Sequence, residues 1–319
     1  MTPTQTAAQP GRRVHRLLEQ VQRVLIGKED VVRLTIVTLL ARGHLLIEDV
    51  PGIGKTLLGI ALARSIEASF RRIQFTSDLL PSDIVGVSVL NQNERVFEFR
   101  EGPVFSHILL ADEINRSTPK TQSALLEAMS ELQVTVDGTT RPLPDPFLVL
   151  ATQNPVEYHG TYPLPEAQLD RFLMRVRIGY PAPEDERRIL QGLDPAERVK
   201  RLDPILTLSE VRALQAETAA VRVTDSLLDY AVALAEASRR HPAVKLGLSP
   251  RGSLALCRAA RAYAFIDGRD YCVPDDFKVV AVPVMAHRLL LDTSLLGVAR
   301  IAEAEGVVEG LLKSVPSPG

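Results

Sequence analysis

Cysteine is scarce in this 319-residue chain: only Cys257 and Cys272 are present. Two cysteines cannot build a disulfide scaffold, and they fit a reducing compartment. Long apolar runs are also missing. Arg33, Arg42 and His44 interrupt the most hydrophobic stretch, so no window of about 18 apolar residues reads as a membrane span. The opening residues, MTPTQTAAQPGRRVHRLLEQ, contain no apolar core of the secretory type. A soluble cytoplasmic protein is the default expectation. Neither sign of charge dominates: 37 Lys+Arg stand against 39 Asp+Glu, for a net charge of -2. That balance argues against a constitutive polyanion binder, although a local basic patch could be averaged out. What is present is ample apolar material, 45% of residues, which excludes a mostly disordered chain. The length suits about two domains.

Residues 1–10 read as a disordered tail. A helix is expected over Arg12 to Leu25, with Val14, Leu17, Leu18, Val21 and Leu25 on one face. Ile26-Gly27-Lys28 breaks it, and a second helix is expected over Glu29 to Ala41. Short apolar runs then recur at His44–Ile47, Arg72–Phe75, His107–Ala111, Phe147–Ala151 and Met174–Ile178, with helical stretches such as Pro119–Leu132 between them. Continuous apolar strands alternating with helices predict an α/β fold, a parallel five-stranded sheet covered on both faces. Two hairpins interrupt the alternation. Val85–Leu90 and Arg95–Arg100 flank the turn Asn91–Glu94, and Leu132–Val136 and Thr139–Leu143 flank Asp137-Gly138. After Tyr180-Pro181-Ala182-Pro183 the pattern becomes almost entirely helical. It has a capping box at Thr207–Glu210, an amphipathic run Leu227–Arg240, an N-cap at Ser249-Pro250 and a helix start at Val273–Asp276. The predicted organisation is an αβα domain over 11–185, a smaller all-α domain over 186–313 and a frayed tail over 314–319.

Asp49-Val50-Pro51-Gly52-Ile53-Gly54-Lys55-Thr56 lies between the first apolar strand and a helix. Gly52 and Gly54 let the backbone turn several N–H groups toward one anion, and the helix N-terminus adds partial positive charge. Lys55 can reach the β- and γ-phosphates of a nucleotide, and Thr56 offers a hydroxyl to Mg²⁺. Asp49 stands where the eight-residue phosphate-loop pattern has its first glycine. The alternative is a glycine-rich turn with an exposed lysine. Further on, Leu109-Leu110-Ala111-Asp112-Glu113 ends a buried strand in adjacent acids. In phosphate-loop enzymes an aspartate here holds the Mg²⁺ shell, and the next residue can take a proton from the attacking water. Alternatively they are a helix cap and a solvated charge.

The stretches LLIEDVPGIGKT, LLADEINRSTPKTQSALLEAMSE, LVLATQNPVE, LPEAQLDRF and LSPRGSLALCRAAR together make the chain resemble the MoxR group of the AAA+ ATPases over about residues 12–310. The hairpins match that branch's helix-2 insert, about 83–102, and pre-sensor hairpin, about 132–143. The resemblance implies an AAA+ core with a helical lid, and ATP and Mg²⁺ as cofactors. It implies nucleotide contacts from Gly27, Lys28, Pro51, Gly52, Ile53, Gly54, Lys55, Thr56 and Leu57, and a metal shell from Thr56 and Asp112. Glu113 would be the base and Asn154 would orient the attacking water; an Asx-turn residue is the alternative for Asn154. Arg251 would contact phosphate as sensor 2, or pair with a surface acid. Arg171 matches the arginine finger that reaches a neighbouring subunit's nucleotide, unless it pairs within the chain with Asp170 or Glu166. The implied function is Mg-dependent ATP hydrolysis by a ring, expected to be a hexamer, that remodels or activates a client, often one with a von Willebrand A domain. A magnesium-chelatase-like motor is the alternative. A nucleic-acid motor is disfavoured because the hairpin tips, Asn91–Glu94 and Asp137–Thr140, carry no lysine. The stretch Ser77–Pro81 lacks the aromatic residue of a threading pore loop. His44, His107, His159 and His241 have no metal-ligand spacing.

Overall fold

A computed structural model of the chain describes residues 3–49, 52–154, 161–192, 194–293, 295 and 297–318, with side chains from residue 11 onward except 195 and 196. The chain opens with α1 (Pro3–Val24) and α2 (Glu29–Leu40), followed by β1 (Leu45–Glu48), α3 (Lys55–Ser65), β2 (Phe70–Gln74) and the short α4 (Pro81–Val85). A hairpin of β3 (Gly86–Asn91) and β4 (Val96–Glu101) leads to β5 (Ile108–Asp112) and α5 (Pro119–Glu131). A second hairpin, β6 (Gln133–Val136) and β7 (Thr139–Pro142), precedes β8 (Leu148–Gln153), α6 (Glu166–Leu169) and β9 (Met174–Val176). The rest is α7 (Pro183–Gln191), α8 (Pro195–Lys200), α9 (Leu208–Ala219), α10 (Asp225–Arg240), β10 (Val244–Leu246), α11 (Pro250–Ile266), α12 (Pro274–Met285), β11 (Leu290–Leu291) and α13 (Gly297–Ser314).

The five apolar runs form one parallel sheet in the order β2-β5-β8-β1-β9. Because side chains alternate across a strand, Leu45, Ile47, Leu110, Leu148, Leu150 and Met174 face α1, α2 and α3, whereas Leu46, Leu109, Ala111, Val149 and Ala151 face α5. Each fully buried Leu or Ile here contributes about 1.5–3 kcal/mol. His44 is buried at the start of β1. Its Nε2 lies 3.1 Å from the Met129 carbonyl and its Nδ1 accepts from the Val149 N–H at 3.1 Å, and burial pushes its pKa down to about 4.

Three expectations need correction. The first helix reaches back to Pro3, so the ten-residue tail is helical from there. The second region is not wholly helical, because β10 and β11 pair antiparallel between its helices. The sequence boundary near 185 falls inside α7, and the packing does not respect it: one apolar cluster joins α1–α3 to α9, α11 and α12. Leu39, Leu40 and Ala41 sit in the same cluster as Leu214, Leu256 and Ala259, because α2 presents apolar residues on nearly every side.

The two hairpins have the predicted places. The first is shifted by one residue, with Asn91 opposite Val96, and the second pairs Val136 with Thr139 around Asp137-Gly138. At the first, Leu90 lies opposite Phe97, and both are exposed. Among the described residues, no helix is long and apolar enough to cross a membrane.

Candidate functional site

Four segments converge at the C-terminal ends of β1 and β5. Gly52 and Gly54 adopt φ of 85° and 97°, a region that L side chains rarely occupy. A β-carbon on Gly54 would also stand 2.9 Å from a Leu25 methyl. Gly54 is the N-cap of α3 and supplies no side-chain cap. The first-turn N–H groups therefore stay available for an anion. Lys55 Nζ donates to the Asp49 carbonyl at 2.6 Å. Burial lowers its pKa, and Asp112, Asp49 and Glu113 oppose that shift. Asp49, in place of the first glycine, uses its side chain as a tie: Oδ2 accepts from the Gly179 N–H at 2.5 Å. Pro51 lies outside the described residues.

The cleft in front of this loop has a volume of about 370 Å³ and is lined by Gly52, Gly54, Lys55, Thr56, Leu57, Arg72, Gln74, Asp112 and Glu113. Asp112 ends β5. Glu113 follows at φ 57°, ψ 50°, a left-handed conformation that costs a non-glycine residue about 1 kcal/mol. It is held there by its N–H, which donates to Thr152 Oγ1 at 2.8 Å. The same hydroxyl donates to Asp112 Oδ1 at 2.5 Å. The Glu113 carboxylate accepts from Gln74 Nε2 at 2.7 Å and Arg116 Nη1 at 3.0 Å. The Thr56 hydroxyl and the Asp112 carboxylate are hard oxygen donors on one cleft. That set fits Mg²⁺, which keeps most of its waters and takes one or two protein oxygens. No group of three or more His, Cys, Asp or Glu residues that could hold a metal is found among the described residues.

The other predicted residues are placed differently. Ile53 is half-buried against the apolar cluster. Gly27 and Lys28 flank the loop but do not line the cleft. A β-carbon at Gly27 would strike the Asp185 carboxylate, and Lys28 Nζ donates to the Tyr180 carbonyl at 2.8 Å. Asn154 is buried and lines a second cavity, of about 360 Å³, with Glu48, Gln153 and Arg175. The pleat explains this. Thr152 shares the face of Leu148 and Leu150 and reaches the acids, whereas the strand ends at Gln153 before Asn154 can turn to the same side. Arg171 and Arg251 do not line the cleft either. They flank the ion pair of Asp170 with Arg288 (2.7 Å), which Ser249 Oγ joins by donating to Asp170 at 3.1 Å. Glu166 is taken by Arg300 at 3.2 Å. The intrachain pairs considered for Arg171 are therefore occupied by others, and neither Arg171 nor Arg251 has a side-chain partner among the described residues. His159 lies outside the described residues. His107 Nδ1 accepts from the Ser69 N–H, and His241 Nδ1 from the Ala243 N–H.

Thr152, Arg72 and Gln74 escaped the sequence reading. The signal for the last two was their spacing of two on a strand, which puts both on one face. A buried pair with a half-buried third member was also missed: Arg175 lies 3.3 Å from Glu48 and 3.3 Å from Glu305 of α13. Burial pushes the Glu48 carboxyl up and Arg175 opposes it.

A strand–loop–helix phosphate cradle facing two acids on the neighbouring but one strand defines a nucleotide-hydrolysing fold. The protein-family model "ATPase family associated with various cellular activities (AAA)" matches residues 44–174, and the "AAA lid domain" model matches residues 236–307. The chain is 50% identical to YeaC of Bacillus subtilis (strain 168), over 94% of this chain and 93% of that protein. It is 42% identical to Chaperone MoxR1 of Mycobacterium tuberculosis, over 96% of this chain and 82% of that one. A solved structure from Cytophaga hutchinsonii superposes with a TM-score of 0.87 at 38% identity, covering 99% of this chain and 98% of that one. The chain belongs to the MoxR-type AAA+ ATPases. It is an ATPase with an α/β phosphate-loop core and a helical lid.

Proposed function

We propose that this ATPase works as a chaperone-like motor: an oligomeric ring, hexameric in the reading of its resemblance, that uses Mg-dependent ATP hydrolysis to remodel or activate a client protein. The observation that carries the chemical half is the single cleft shared by Lys55 and Thr56 at the head of α3 and by Asp112 and Glu113 at the end of β5. In this reading the first-turn N–H groups of α3 and the Lys55 ammonium bind the phosphates. Thr56 and, through water, Asp112 hold Mg²⁺, which supplies Lewis-acid charge to the phosphate oxygens when bound. Glu113 takes the proton of the attacking water. Gly27 and Lys28 bracket the base through backbone. Asn154 would orient the water only after moving round from its present cavity.

The ring half rests on Arg171 and Arg251. Both lie away from their own cleft and lack a side-chain partner among the described residues. That supports Arg171 as a finger for a neighbour's nucleotide, with Arg251 beside it. The client half rests on the name Chaperone MoxR1 and on the exposed Leu90 and Phe97 of the first hairpin. A von Willebrand A domain protein is the client class proposed, and the cytoplasm the compartment.

The test is a pair of variants. Glu113→Gln is expected to bind ATP and lose about 10²–10⁴ in turnover. Lys55→Ala is expected to lose binding. Hydrolysis at the wild-type rate in both would sink the site. Glu113→Gln loaded with ATP then serves as bait, and client proteins captured only with ATP support the motor reading.

A further inference from the structure

Both oxygens of the Asp112 carboxylate are engaged, by partners of opposite character. Oδ1 accepts from the hydroxyl of Thr152, a buried residue on a central strand. Oδ2 accepts from Arg72 Nη2 at 2.6 Å and Nε at 3.2 Å. Arg72 stands on β2, an edge strand, with its side chain 49% exposed. Its reach follows from register. Gln74 lies opposite Asp112 in the parallel pairing, and Arg72, two residues earlier, projects from the same face. Arg72 also donates to Gln74 Oε1 at 3.1 Å, while Gln74 holds Glu113. One edge strand thus grips both acids, and Arg72 lines the same cleft as Lys55 and Thr56.

A bare carboxylate there would repel the phosphates of an incoming nucleotide. A divalent cation, or a water it carries, that approaches Asp112 at Oδ2 meets Arg72 there, whereas Oδ1 is already tied to a buried hydroxyl. We infer that Arg72 is a positioning residue that serves as the resident counter-cation of Asp112 and exchanges with the metal: its guanidinium neutralises Oδ2 while no metal is there and yields that oxygen to the metal–nucleotide. Exposed Arg–carboxylate pairs are weak in water, so the exchange is easily driven, and the half-exposed arginine has solvent to swing into. This rests on the reading of Asp112 as the metal-side carboxylate.

The test is the metal preference of nucleotide binding, not turnover. A fluorescent, non-hydrolysable ATP analogue is titrated into the full chain with excess Mg²⁺ and again with EDTA, and the ratio of affinities is compared. Arg72→Ala is expected to weaken metal-free binding about fivefold and leave Mg²⁺-dependent binding within about twofold, so that the preference for metal rises. Arg72→Lys keeps the charge and should return the ratio to within about twofold of wild type. An unchanged or smaller ratio in Arg72→Ala overturns the inference. Asp112→Asn is the control and should abolish the preference. If it does not, the metal-side assignment fails and the inference falls with it. If it does while Arg72→Ala stays at the wild-type ratio, the inference alone falls. Arg72→Gln repeats the measurement if the alanine variant does not fold, which circular dichroism reports.

Discussion

Two acid–arginine clusters flank the end of this sheet, one in front and one behind. In the cleft, Asp112 and Glu113 meet Arg72 and Arg116, whose side chains are both 49% exposed. Behind the sheet, Glu48 meets Arg175 with 6% and 7% exposure, and Glu305 completes the group from α13. The residue types match, and every pair lies within 3.3 Å. What differs is water. Solvated pairs contribute about 0–1 kcal/mol and can be exchanged for a ligand. Desolvated pairs cost several kcal/mol to break from one side, because the remaining charge is stranded. The front cluster is therefore suited to exchange and the rear one to holding α13 against the sheet.

The largest expected effect comes from breaking the rear cluster. Arg175→Ala should lower unfolding stability by about 3–5 kcal/mol, measured by urea unfolding. The uncharged pair Glu48→Gln with Arg175→Met should recover most of that loss, because no buried charge is then stranded. Equal instability in the single and double variants would mean that the triad is not acting as a charge pair. Smaller is the effect of Arg171→Ala, an arginine that belongs to neither cluster. Its turnover should fall about 10²-fold with nearly normal ATP binding, less than the 10³–10⁵ of GTPase fingers. Mixing with Lys55→Ala should restore part of the activity, since an intact loop can then face an intact Arg171. No recovery on mixing would leave Arg171 a structural residue of its own chain. Smallest is Asn154→Ala, which separates the two cavities. A fall in kcat of about tenfold at unchanged Tm would assign Asn154 to the cleft. A lowered Tm at unchanged kcat would assign it to the space behind.

Much of the fold was legible because apolar runs of strand length alternate with helical periods, and all five strands lie where those runs occur. The cleft was legible because phosphate binding demands glycines and a lysine in a fixed order, and Gly52, Gly54, Lys55 and Asp112 carry that demand openly. The rear cluster was not legible. Arg175 in Met174-Arg175-Val176-Arg177 reads as the solvent side of an alternating strand, yet α13 arrives from more than a hundred residues later to cover it. Arg72 was hidden for the opposite reason: an arginine on an edge strand needs no explanation until the register brings it against Asp112. The cavity that Asn154 lines was not legible, because motif position says which strand end a residue occupies, but not which way the chain leaves it.

The carbonyl groups at the end of α2 are answered from α9 and α11. Gln215 Nε2 donates to the Leu39 carbonyl at 2.7 Å, and Arg258 donates to the carbonyls of Ala41 and Arg42. A helix terminus whose acceptors are satisfied by another segment cannot part from it without stranding them, at about 1–3 kcal/mol each. α2 is thus tied to helices that follow the sheet, although it precedes the sheet in sequence. Its two ends lead into Gly27-Lys28, beside the phosphate loop, and Gly43-His44, at the entry to β1. α2 therefore connects α9 and α11 to both places, so that displacing those helices would load the two together.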